Sequence, residues 1–197
     1  ISYQWNRAGT AISGATSSTY TLVQADVGSA ITVTASYTDA QGTAESVDSS
    51  ATSAVANVND SPTGAVTITG TATEDQTLTA SNSLADEDGL GTITYTWSNG
   101  ATGASIVLGQ SDVGNAITVT ASYTDGQNTA ESMTSSATSA VANVNDSPTG
   151  AVTITGTAQE DETLTASNTL ADEDGLGTIT YTWSTGATGA SIVLGQS

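Results

Sequence analysis

The chain has 197 residues, 20 of them Asp or Glu against one basic residue, Arg7, for a formal charge of −19, and it contains no His, Cys or Phe. Without imidazole or thiol there is no general base of the usual kind, no thiolate nucleophile, no conventional zinc site and no disulfide, which points away from an enzyme. The charge repels nucleic acid and anionic lipid, which are met with Lys and Arg, and no apolar run approaches the roughly 18 residues of a membrane span, so neither nucleic acid nor direct membrane insertion is expected.

A long internal repeat sets the order of the chain. The string VANVNDSPTGAVTITGTA begins at Val55 and again at Val141, a period of 86 residues. Segments 55–111 and 141–197 differ only at Thr73/Gln159, Gln76/Glu162, Ser83/Thr169 and Asn99/Thr185. Upstream, DVGSAITVTASYTDAQGTAES from Asp26 matches DVGNAITVTASYTDGQNTAES from Asp112 at the same period, whereas Trp5 and Trp97 are 92 apart, so the first copy carries six additional residues. The expected domains are the C-terminal part of a repeat over 1–54, a complete repeat over 55–140 and the N-terminal part of a third over 141–197. A unit of this length can hold one core of its own and is too long for a solenoid slice, so the repeats read as beads on a string.

Within the complete repeat, Val66 and Ile68 alternate with Thr67 and Thr69, and a short strand fits Gln76–Ala80. Ile93, Tyr95 and Trp97 then alternate with Thr92, Thr94 and Thr96, and another short strand fits Ser105–Leu108. Ile117, Val119, Ala121 and Tyr123 alternate with Thr118, Thr120 and Ser122, and a last strand fits Thr129–Ser136. Period-2 alternation bounded by Gly, Asn and Asp turn signals predicts six or seven short antiparallel strands and no helix, an all-β fold. By this phase Trp97 and Tyr95 belong to the core face with Ile93 rather than to an exposed sugar platform. The Thr rows, which could also suggest an ice-binding array, are the wet faces of the strands.

One Trp per repeat on the third strand, followed by Asp112-Val-Gly114 ahead of ITVTASY, resembles the immunoglobulin-like sandwich, whose strand C carries a buried Trp and whose E–F corner often reads D-x-G. There is no Cys pair, and Ala116 stands where a tyrosine-corner Tyr is expected, so an antibody-type domain is excluded and the corner is left to Asp112 and backbone. The near-identical units, the acidity, the absence of Cys, and the phrases VANVNDSPTG, LADEDG and SYTDGQ together resemble repeats of the giant type I-secreted adhesins of Gram-negative bacteria. That resemblance implies tandem immunoglobulin-like antiparallel β-sandwich domains joined by short linkers, forming an extracellular, cell-surface stalk whose partners are the neighbouring repeats of the same chain. The alternative is a subunit of a self-assembling extracellular fibre or sheath, with other copies of the chain as partners.

The candidate site is the repeat junction. The linker VNDSP, with Asn59, Asp60 and Pro62 and again Asn145, Asp146 and Pro148, resembles the N-D-x-P linker of cadherins, which holds calcium between domains. In a seven-strand sandwich the A–B turn and E–F corner of one domain face the B–C loop of the next. Asp86, Glu87 and Asp88 are therefore expected to meet Asn59, Asp60 and Asp26, and Asp172, Glu173 and Asp174 to meet Asn145, Asp146, Asp112, Glu74 and Asp75. Two carboxylates about 5 Å apart at an effective dielectric near 20 repel by roughly 3 kcal/mol, so four or five together call for a cation. Calcium, which takes six to eight oxygens, is the one expected. The competing reading is that each Asp only caps its turn. Asp125 and Glu131, with Asp39 and Glu45 one repeat earlier, are expected to be solvated turn residues pointing away from the junction. Asn59-Asp-Ser and Asn145-Asp-Ser match the glycosylation sequon, but a glycan there would obstruct a calcium linker.

Overall fold

The computed structural model describes residues 1–195. The described strands are β1 (Ser2–Arg7), β2 (Thr10–Ala11), β3 (Ile31–Thr38), β4 (Ala44–Asp48), β5 (Val66–Thr69), β6 (Thr77–Asn82), β7 (Thr94–Trp97), β8 (Ser105–Val107), β9 (Val119–Thr124), β10 (Ala130–Thr134), β11 (Val152–Thr155), β12 (Thr163–Asn168) and β13 (Ser191–Val193). The only helical pieces among the described residues are two short 3-10 turns, Gln24–Asp26 and Gln110–Asp112. The chain is thus all-β, built of several antiparallel sheets and consistent with a β-sandwich. Among the described residues no helix is long and apolar enough to cross a membrane.

Packing divides the chain into two compact units that do not follow the 86-residue period. The first comprises Ile1–Ile68, Ala80–Ala104 and Thr118–Ser136; the second comprises Thr69–Thr79, Ser105–Ile117 and the chain from Ala137 onward. Each gathers one linker and the elements that flank it.

The first unit holds two sheets, in the orders β2–β1–β3–β4 and β10–β9–β7. They use the same residues in the same way: Trp5 pairs with Val33 across β1 and β3, and Trp97 with Val119 across β7 and β9. The predicted alternation decides which side chains go inside. Trp97 is 1% exposed, and Val119, Ala121 and Tyr123 are buried while Thr120 and Ser122 between them are not. The Trp97 indole N–H, which would be costly to bury unpaired, donates to the Gly103 carbonyl at 2.8 Å.

In the second unit β6 and β8 pair with Leu78 opposite Ile106, and the sheet β11–β12–β13 repeats that register with Leu164 opposite Ile192. Leu78, Ile106 and Leu108 are buried.

Each 3-10 turn is pinned by its last residue. Asp26 is fully buried and its carboxylate is saturated: Arg7 Nε lies 2.7 Å from Oδ1, and the Tyr20 hydroxyl and Val23 N–H donate to Oδ2 at 3.0 and 2.8 Å. Asp112 is buried too, and its Oδ2 accepts the Gly109 N–H at 3.1 Å. Immediately after each turn the chain grips the linker. Gly28 N–H donates to the Val55 carbonyl and Val55 N–H to that of Ser29; Gly114, Val141 and Asn115 repeat the arrangement, each bond 2.9 Å long.

Candidate metal centre at the repeat junction

The second unit brings three carboxylates together. Oxygens of Glu74, Asp146 and Glu173 all lie within 4.8 Å of one another. They come from three segments: the turn between β5 and β6, the linker, and the acidic loop 172–175. Glu74 is held in place by backbone. Its N–H donates to the Ala142 carbonyl, Ala142 N–H donates to Ala72, and its Oε2 accepts the Val144 N–H at 3.1 Å. The linker is therefore joined to the β5–β6 turn by an isolated parallel bridge between Thr73 and Ala142, and Glu74 is only 2% exposed.

Oxygens no more than 4.8 Å apart can share a centre about 2.8 Å or less from each, a few tenths of an ångström outside the 2.3–2.6 Å of calcium–oxygen bonds. The donor set, three hard anionic oxygens, suits calcium. Magnesium would require tighter contraction to 2.0–2.1 Å and octahedral geometry.

Other candidate residues have other roles. Asp174 clasps the linker: its Oδ1 accepts the Asn143 side-chain N–H at 2.7 Å and its Oδ2 the Asp146 N–H at 2.9 Å. Asp172 Oδ1 accepts the Asp174 N–H at 3.0 Å, an Asx turn that shapes the loop. Asn145 folds onto the Asp146 carbonyl. Asp75 adopts a left-handed conformation, φ +62°, and is exposed, so it serves the turn rather than the cluster. Asp26 and Asp112 cap their 3-10 turns as described, and Asp26 spends both oxygens there. For Asp172, Asp75, Asp26 and Asp112 the turn reading describes the contacts seen, whereas Asp174 fastens the linker.

The first unit presents the equivalent junction with the same clasp. Asp88 Oδ2 accepts the Asp60 N–H at 2.8 Å and Oδ1 the Gln24 side-chain N–H at 2.6 Å. The Asp60 N–H is foremost in holding the Asp88 carboxyl below the usual carboxylate range; burial opposes it, and the Asn57 and Gln24 amides add to it. Asp86 Oδ1 accepts the Asp88 N–H, and its Oδ2 accepts the Tyr123 hydroxyl. Burial first, and then this bond to an anion, push the Tyr123 phenol well above its ordinary value. Glu87 is exposed and Asp60 half-buried, at the positions of Glu173 and Asp146. One period before Glu74 falls ahead of Ile1.

The turn between β9 and β10 lies against the acidic loop instead of pointing into solvent. Gly126 N–H donates to the Asp88 carbonyl at 3.0 Å and to that of Gly89 at 3.2 Å, and Asn59 Nδ2 donates to Glu131 Oε1 at 2.7 Å. Asp125 is 5% exposed. Its Oδ1 caps the turn through the Gln127 and Thr129 N–H groups at 2.8 and 2.7 Å, while Oδ2 is buried with no partner. This corrects the expectation of solvated residues for Asp125 and Glu131. The signal was in the sequence: the first copy reads Asp39-Ala40 where the second reads Asp125-Gly126. A Cβ at Gly126 would lie 2.5 Å from the Asp88 carbonyl oxygen, so only glycine permits the approach.

Three buried side-chain atoms lack a partner among the described residues: Asn57 Oδ1, Gln110 Oε1 and Asp125 Oδ2. All are oxygens, and they belong to the linker, a 3-10 turn and the β9–β10 turn. Buried acceptors without donors are what a cation or ordered water would satisfy.

No protein-family model, curated protein or solved structure matches the chain.

Proposed function

We propose that the chain is a run of structural extender repeats from the stalk of a large extracellular bacterial surface adhesin, its immunoglobulin-like domains stiffened by calcium at their junctions. The observation that carries this reading is the meeting of Glu74, Asp146 and Glu173, drawn from one repeat, the linker and the next repeat. Calcium would supply the positive charge that lets three carboxylates share so small a space, and so tie three segments whose only covalent link is the linker. The residues to hold it are Glu74, Asp146 and Glu173 at one junction; at the other, Asp60 and Glu87 stand at the matching positions of the repeat.

A short unrestrained linker leaves its flanking domains free to bend, and a bent chain spans less distance. Fixing each junction converts the number of repeats into length, so the near-identity of successive copies suits an extender better than a set of distinct binding modules. The chain's partners are then its own neighbouring repeats, at the cell surface.

Small-angle scattering of the 197-residue chain tests the reading. A chelator is expected to reduce the maximum dimension, and readded calcium to restore it. Scattering profiles that superimpose in chelator and in calcium would overturn the proposal.

A further inference from the structure

Gln24 and Gln110 open the two 3-10 turns, one period apart. The base of the first turn is fixed: Asp26 is locked by Arg7, Tyr20 and the Val23 N–H, and Gln24's own carbonyl accepts the Val27 N–H at 3.1 Å. From that base the Gln24 amide reaches a residue 64 positions later, donating to Asp88 Oδ1 at 2.6 Å. Asp88 is the carboxylate that also holds the linker, through the Asp60 N–H. A single buried anion is thereby bonded by both the preceding repeat and the linker. Gln110 occupies the same step one period later, but there Asp174 Oδ1 accepts the Asn143 amide instead, so the contact is specific to the first junction.

Residue type matters here. A hydrogen bond to a charged acceptor is stronger than one between neutral groups, and a neutral amide makes it without adding to the negative charge around Asp60, Asp86 and Asp88. A glutamate would place like charges in contact. An asparagine is one methylene too short to span the same gap.

We propose that Gln24 is a cross-junction positioning residue: a metal-independent strap that fastens the 3-10 turn of one repeat to the acidic loop of the next and holds the junction near its closed geometry before any ion binds. The strap deepens the extender reading, on which it rests for its purpose but not for its test. It also sets the ion's apparent affinity, because a site formed only part of the time binds more weakly in proportion to that fraction.

Amide hydrogen exchange of the full chain in chelator decides it, comparing wild type with Gln24→Leu and Gln24→Glu. The Asp60 N–H, protected by Asp88, is expected to exchange about tenfold faster in Gln24→Leu, the effect of one hydrogen bond to a charged group, and faster still in Gln24→Glu. The buried Val119 amide, bonded to the Ser135 hydroxyl within the core, is expected to be unchanged. Should Val119 also lose protection, Gln24→Asn gives the same comparison in a milder form. Equal Asp60 exchange in wild type and variants would overturn the strap. Because the comparison is made without calcium, it stands even if scattering refutes calcium stiffening.

Discussion

Replacing Glu74 by Gln separates a cation ligand from a backbone fastener, because the two roles predict opposite changes in stability. The substitution preserves shape and an oxygen to accept the Val144 N–H, and removes only charge. At 4.8 Å and an effective dielectric of 20 a carboxylate pair repels by about 3.5 kcal/mol; against the exposed Glu173, in nearly aqueous surroundings, the figure falls to about 1 kcal/mol. Neutralising Glu74 removes its repulsion with both Asp146 and Glu173, about 4.5 kcal/mol by these figures and, after side-chain relaxation, about 1–3 kcal/mol. Without calcium the variant should therefore be more stable than wild type, melting at least several degrees higher, since 1 kcal/mol is worth about 4–8 °C in a domain of this size. With calcium that advantage should shrink by about 1.4 kcal/mol or more, because losing one anionic ligand is expected to weaken binding tenfold or more. Calorimetric melts in chelator and in calcium, with titration of the ion, make the measurement. A variant destabilised equally in both conditions would refute the reasoning and leave Glu74 as a fastener for Val144 alone.

Asp125→Asn keeps the turn-capping oxygen but replaces the unpartnered one by a donor, so calcium titration should show weaker binding at the first junction, whereas Asp39→Asn should leave it unchanged. Gly126→Ala drives a methyl group into the Asp88 carbonyl and should destabilise the complete repeat by about 1–3 kcal/mol in thermal unfolding. Acid should loosen the first unit. Burial pushes the Asp26 carboxyl up, but the Val23 N–H, Arg7 and Tyr20 outweigh it and hold the group below its ordinary value; Asp88 is also held low. Their stabilisation is complete above the unfolded carboxylate value of about 3.9 and is lost as pH falls through the lowered folded values, which melts across the acid range would follow. Tyr123 has the opposite sign: its contribution is present below the ordinary phenol value of about 10 and is lost at higher pH, visible as a late phenolate absorbance change.

Much of this was legible in the sequence, because strands with one wet face write their geometry as alternation. The Val/Ile/Tyr/Trp phase of 66–68, 93–97 and 117–123 located the strands and the burial of Trp97, whereas the 86-residue period did not give the compact units of the structure. The sequence grouped Glu74, Asp146 and Glu173 with a wider set of acids at this junction, and it is the structure that singles out these three, with oxygens within 4.8 Å of one another. Tertiary structure alone decided how acids of identical type divide their work. Asp26, Asp88 and Asp174 became hydrogen-bond acceptors because N–H groups distant in sequence arrive at their oxygens. Asp125 was buried because one glycine let its turn close on the acidic loop. Local pattern carries no record of such meetings, since an aspartate at a turn reads the same whether its second oxygen faces water, an amide or a cation; only the approach of another segment settles which.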